Sequence, residues 1–120
     1  MSLLWVADSF YVGVRDVAAA TAWYREKFGL KETSLELGEV EGCVGLAFPK
    51  ALPAPIILGP VTVSTDTTTR MLYTSDVTTA RKWLITRGVE AGAIETDRQG
   101  TKYFSIRDLE GNPIEVSEEP

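Results

Sequence analysis

Three tyrosines, a methionine, small hydroxyls and one glutamate carry most of the chemistry this chain can present on strand faces. Period-two alternation puts Ser9 and Tyr11 on one face of a first strand, with Phe10, Val12 and Val14 on the other. Thr69, Met71 and Tyr73 form the matching set later in the chain. Tyr103 and Ser105 face the same way between the core positions Phe104 and Ile106, with Glu115 beyond them on the last strand. Such a wall suits a flat or conjugated organic ligand, because phenol rings combine stacking area with a polar end. Glu115 would pair with an amine or accept hydrogen bonds. Each residue also has a plainer reading: the tyrosines as amphipathic strand residues at a dimer interface, Met71 as core filler, and Glu115 as a solvent-side strand residue.

Other chemistries lack their residues. The chain of 120 residues contains no histidine and a single cysteine, Cys43, within the apolar run Cys43 to Phe48. That context reads as a buried strand cysteine rather than a nucleophile. A lone thiol excludes an intrachain disulfide and fits a reducing compartment, so the cytoplasm is expected. No Gly-rich phosphate loop, CxxC pair or nucleophile elbow occurs. The net charge of −5 repels phosphate backbones and anionic lipid, so neither nucleic acid nor membrane is an expected partner. The N-terminal apolar stretch, Leu3 to Ala7, is too short for export or anchoring and lacks a basic flank.

The elements that must position these residues come in two copies. Asp16-Val17-Ala18-Ala19-Ala20-Thr21-Ala22-Trp23 returns as Asp76-Val77-Thr78-Thr79-Ala80-Arg81-Lys82-Trp83, with Asp, Val, Ala and Trp repeated at an offset of 60, half the chain. In the first half a strand over Phe10 to Arg15 leads to Asp16 as helix cap, a helix over Val17 to Phe28 and a stop at Gly29. Val17, Ala20, Tyr24 and Phe28 make its apolar stripe, with Trp23 at the margin. Strands follow at Leu30 to Leu37, Cys43 to Phe48 and Ile56 to Val63. The second half repeats the order with a strand Arg70 to Thr74, cap Asp76, helix Val77 to Arg87 and stop Gly88. Its strands are Val89 to Glu95, Thr101 to Arg107 and Ile114 to Ser117. Asp108-Leu109-Glu110-Gly111-Asn112 closes a tight hairpin before Pro113, which opens an edge-like strand position. The expectation is an α+β fold: a single domain, residues 1–120, of two tandem βαβββ modules, about 5–63 and about 68–118, with a curved mixed sheet around a ligand cavity.

Val14-Arg15-Asp16-Val17, with Ala22-Trp23-Tyr24-Arg25-Glu26-Lys27-Phe28-Gly29-Leu30, resembles the opening of vicinal oxygen chelate proteins, the glyoxalase, bleomycin-resistance and dioxygenase group. Arg107 to Val116 resembles their closing hairpin. The resemblance spans nearly the whole chain and is specific for fold rather than function. In metal-dependent members it implies ligands on the first and last strand of each module, which here map to Ser9, Ile57, Thr69 and Glu115. A catalytic metal needs about three strong protein donors, and this set offers one carboxylate, two neutral hydroxyls and an apolar side chain. The departure from the pattern points to the metal-free, bleomycin-resistance-like branch, with no cofactor and no metal expected.

Three functions follow. The first is a homodimeric module that binds a small aromatic or cationic compound, such as a drug, conferring antibiotic resistance by sequestration. The second is a metal-independent lyase or isomerase in which Glu115 is the acid or base and Tyr11, Tyr73 or Tyr103 polarises a carbonyl. The third is a metalloenzyme that recruits Asp8, Glu36 or Glu39. Elemental analysis of protein purified without chelator separates the third from the others. Zinc, nickel, iron and manganese are expected far below one equivalent, and a stoichiometric metal would overturn the metal-free reading.

Overall fold

The computed structural model describes residues 4–33, 42–48, 56–61 and 70–118. The element order is β1 (Phe10–Val14), α1 (Val17–Phe28), β2 (Lys31–Thr33), β3 (Val44–Ala47), β4 (Ile56–Pro60), β5 (Met71–Thr74), α2 (Val77–Thr86), β6 (Glu90–Ala91), β7 (Glu95–Thr96), β8 (Lys102–Arg107) and β9 (Pro113–Glu118). The first module forms a sheet of order β1-β4-β3-β2 and the second a sheet of order β5-β9-β8-β6, with β7 also on β8. In both, the first strand runs parallel to the last and the remaining pairs are antiparallel. This is the α+β, twice-βαβββ architecture expected from the repeat.

Both helices start for the same local reason. Asp16 accepts from the Ala19 N–H and Asp76 from the Thr79 N–H, so each aspartate supplies an acceptor to the unsatisfied first turn. The Thr79 N–H and hydroxyl hold the Asp76 carboxyl below its ordinary pKa. Helix α1 ends at Gly29, whose φ of 72° lies in the left-handed region. Ala20, Tyr24 and Phe28 are buried, with Trp23 half-buried and packed edge-on against Tyr24 and Phe28. Alternation places Phe10, Val12, Val14, Leu72, Phe104, Ile106, Ile114 and Val116 in one continuous core with these helical residues.

Four local expectations change. The strand expected over Leu30 to Leu37 is described for Lys31–Thr33, and 34–40 lie outside the described residues. The strand expected over Val89 to Glu95 divides into β6 and β7, since residues 92–100 are exposed and have no buried face to keep them extended. Cys43 is half-buried and sits one residue ahead of β3 rather than within it. Pro113 opens a central strand, because β9 lies between β5 and β8. The proline is tolerated there because the β5 pairing begins two residues later, at Glu115.

The modules dock mainly through side chains, with one backbone bridge. The outer edge of β1 is met by the second module: Arg70 Nε donates to the Tyr11 carbonyl, Asn112 Nδ2 to the Gly13 carbonyl, and the Arg15 and Asp16 N–H groups donate to the Glu110 carboxylate at 2.8–3.0 Å. At the β5 edge, Trp5 and Tyr73 exchange two backbone hydrogen bonds. The helix ends meet reciprocally, with Lys27 Nζ on the Arg87 carbonyl and Arg87 Nε on the Lys27 carbonyl. These two residues are themselves one repeat apart.

Tyr24 makes the most buried of these links, its hydroxyl donating to Asp108 Oδ2 at 2.6 Å. Burial, and then the neighbouring Asp108 charge, push the Tyr24 phenol well above its ordinary value of 10.0. Replacing Tyr24 with Phe removes one donor from a buried carboxylate and should lower unfolding free energy by about 1–3 kcal/mol in urea titration at neutral pH. Because the folded-state pKa is raised, the stabilising contribution is complete below pH 10 and is lost as pH rises above it. The wild-type chain should therefore lose stability above about pH 10 more steeply than Tyr24→Phe, whereas parallel curves would contradict this assignment.

Candidate functional site

Residues that alternate away from the core occupy the other face of each sheet. In the second module the register sets Met71 beside Glu115 and Glu115 beside Ser105. The neighbouring row is Tyr73, Ser117 and Tyr103. Directly opposed strand residues have Cβ atoms about 4.5–5.5 Å apart, so four other expected wall residues share one face with Glu115. Met71, Tyr73, Tyr103 and Glu115 are half-buried and Ser105 is exposed. The Tyr73 hydroxyl lies 3.8 Å from the Met71 sulfur. Among the described residues Glu115 has no ion-pair partner.

In the first module Tyr11 pairs with Ile57, and Ile57 with Gly45. Tyr11 opposite Ile57 corresponds to Met71 opposite Glu115, so the two parallel registers make Ile57 and Glu115 equivalent positions, as the mapping required. Next to this row Gly13 faces Gly59 without side chains. The Tyr11 ring leans over Gly59 and its hydroxyl donates to the Pro60 carbonyl at 2.6 Å. A Cβ at Gly59 would lie 2.5 Å from the Tyr11 hydroxyl and 2.6 Å from the Cys43 sulfur. The missing side chain is thus what lets phenol and thiol meet. Burial, and then the thiol, raise the Tyr11 pKa. Nothing in the sequence pattern marked Gly59 or this contact.

Ser9 was expected to share a face with Tyr11. It is exposed and precedes β1, which begins at Phe10 where pairing with Ile56 starts. Thr69 lies outside the described residues, as do Glu36 and Glu39, while Asp8 is exposed. Among the described residues no three His, Cys, Asp or Glu side chains cluster to hold a metal ion. The mapped donors with described positions are one carboxylate, one exposed hydroxyl and an isoleucine. This set does not fit a catalytic metal, which takes about three strong protein ligands.

A cleft of about 430 Å³ lies where the modules meet, lined by Gly13, Arg15, Val61, Glu110 and Asn112. None of these was expected to line a site. Glu110 and Asn112 were visible as hairpin residues, but the strand they approach lies more than ninety residues away in the chain, beyond any local pattern.

A model described as the Glyoxalase/Bleomycin resistance protein/Dioxygenase superfamily matches residues 3–116. Among solved structures, a member of that superfamily from Sphaerobacter thermophilus superposes with a TM-score of 0.75 at 23% identity, covering 95% of this chain and 97% of the other. TnmS3, an antibiotic binding protein from a Streptomyces species, gives a TM-score of 0.73 at 21% identity, with 96% of each chain covered. A lactoylglutathione lyase from Agrobacterium tumefaciens gives 0.64 at 21% identity, covering 94% of this chain and 92% of that one. No curated protein matches the sequence.

Proposed function

The chain belongs to the glyoxalase/bleomycin resistance protein/dioxygenase superfamily, and on that basis we propose that it binds a small aromatic or drug-like molecule without a metal. The observation that carries this reading is Glu115, a half-buried carboxylate without an ion-pair partner among the described residues, set between Met71 and Ser105 and beside the Tyr73–Tyr103 row. Rings supply stacking area and the carboxylate supplies a partner for an amine. The antibiotic binding neighbour TnmS3 supports the same class of role on the same fold. Glutamate-dependent lyase or isomerase chemistry is less well served, because the Tyr11 hydroxyl already donates to the Pro60 carbonyl and its phenol is harder to ionise than usual. A single cysteine supports a reducing, cytoplasmic setting. No helix among the described residues is long and apolar enough to cross a membrane.

Glu115→Gln tests the anchor. With proflavine, a flat aromatic cation, as the probe, calorimetric titration should show affinity weakened roughly tenfold to a hundredfold, the loss of about 1.5–3 kcal/mol expected for a charge-assisted hydrogen bond. The melting temperature should stay almost unchanged, since this carboxylate lies outside the core cluster. Equal affinities would return Glu115 to the solvated strand residues.

A homodimer completes the proposal. Each sheet packs its helix and core on one face and leaves the other, bearing Tyr11 and Ile57 or Met71, Tyr73 and Tyr103, half-buried in the single chain. A second copy covering these apolar surfaces would wall in a ligand. Sedimentation at tens of micromolar should give twice the 13.1 kDa chain mass, and a monomer there would overturn the dimer.

A further inference from the structure

We infer that the cleft between the modules is a second binding site, specific for a small organic carboxylate, with Arg15 as its anion contact. Its walls combine a bare backbone at Gly13, the half-exposed apolar side chain of Val61, and polar groups from Arg15, Glu110 and Asn112. The hydrogen-bonding state of those polar groups decides the ligand. The Glu110 carboxylate is already held by two N–H groups, that of Arg15 shared between both oxygens and that of Asp16. Nearby, Asp16 is engaged by the Ala19 N–H, and Asp108 is buried among four donors. Each of these carboxylates is thus held by donors of the protein itself. The Arg15 guanidinium, by contrast, has no hydrogen bond or ion pair to any described residue. Both Asn112 amide hydrogens are given to the Gly13 carbonyl and to Asp108, so the guanidinium is the available side-chain donor among the described lining residues, and its fork matches a carboxylate in two bonds.

The rest of the cleft selects the body of the ligand. Gly13 has no side chain, and a Cβ there would stand 3.0 Å from the Val61 Cα. The Val61 backbone therefore occupies the space over Gly13, and the half-exposed valine methyls are the apolar surface against which a ring or short apolar chain can lie. A free inorganic anion would gain the guanidinium but leave this apolar surface wet. An aromatic carboxylate uses both parts. The site involves neither Glu115 nor the tyrosine rows, so it stands or falls independently of the proposed function.

The test is a two-dimensional amide NMR titration of the intact chain with sodium benzoate, with benzylamine and inorganic phosphate as comparison probes. Benzoate should move the Gly13, Arg15, Val61 and Asn112 signals, with benzylamine leaving them in place and phosphate moving them more weakly. Arg15→Gln keeps the backbone N–H that Glu110 accepts and removes an exposed guanidinium, so the variant should fold with an unchanged melting temperature. Its benzoate affinity should fall roughly tenfold or more. The inference is overturned by an absence of benzoate shifts, by benzylamine binding equally well, by phosphate binding as tightly as benzoate, or by undiminished benzoate affinity in Arg15→Gln.

Discussion

A carboxylate taken almost out of water must recover its hydration from protein donors or destabilise the fold by several kcal/mol. Asp108 does so at the hairpin that joins the last two strands: it accepts from the Tyr24 hydroxyl, the Glu110 and Asn112 N–H groups and the Asn112 side-chain amide. Three of these donors lie in the hairpin and one on α1. The same aspartate therefore shapes the turn and ties it to the other module. Once that turn is held, Glu110 is presented to the N–H groups at the β1–α1 junction and Asn112 to the Gly13 carbonyl.

This docking accounts for the shape of the molecule as two sheets. A free strand edge invites pairing with another strand, yet the Tyr11 and Gly13 carbonyls on β1 and the Arg15 N–H just after it are all met by side chains of the second module. Side chains satisfy the edge without extending the ladder, so the sheets stay separate. The cleft between the modules arises from the same event, because its lining is the clamped junction itself.

Duplication has left the two modules alike in backbone and different in chemistry. Parallel registers set Tyr11 against Ile57 in one and Met71 against Glu115 in the other. One module offers a glycine pair and a tethered tyrosine, and the other a carboxylate among tyrosines and serines.

The division between sequence and tertiary structure follows the range of the forces involved. The repeat, the two aspartate caps, the Gly29 stop, the inward and outward alternation, and the equivalence of Ile57 with Glu115 were legible from the chain, since each rests on patterns spanning a few residues or one repeat. The total absence of histidine likewise needed no structure. What the pattern could not supply was contact between distant groups. Tyr24 read as packing but is also the donor to Asp108, 84 residues away. Gly59 read as an ordinary strand residue but makes room for the Tyr11 hydroxyl and the Cys43 sulfur. Ser9 read as sharing a face with Tyr11 and lies exposed one residue ahead of β1. Arg15 read as the end of a strand and Glu110 as a hairpin residue, and both came to line one cleft. Local periodicity sets which way a side chain points, whereas its partner depends on how two finished modules dock, a choice made by a few side chains far apart in sequence.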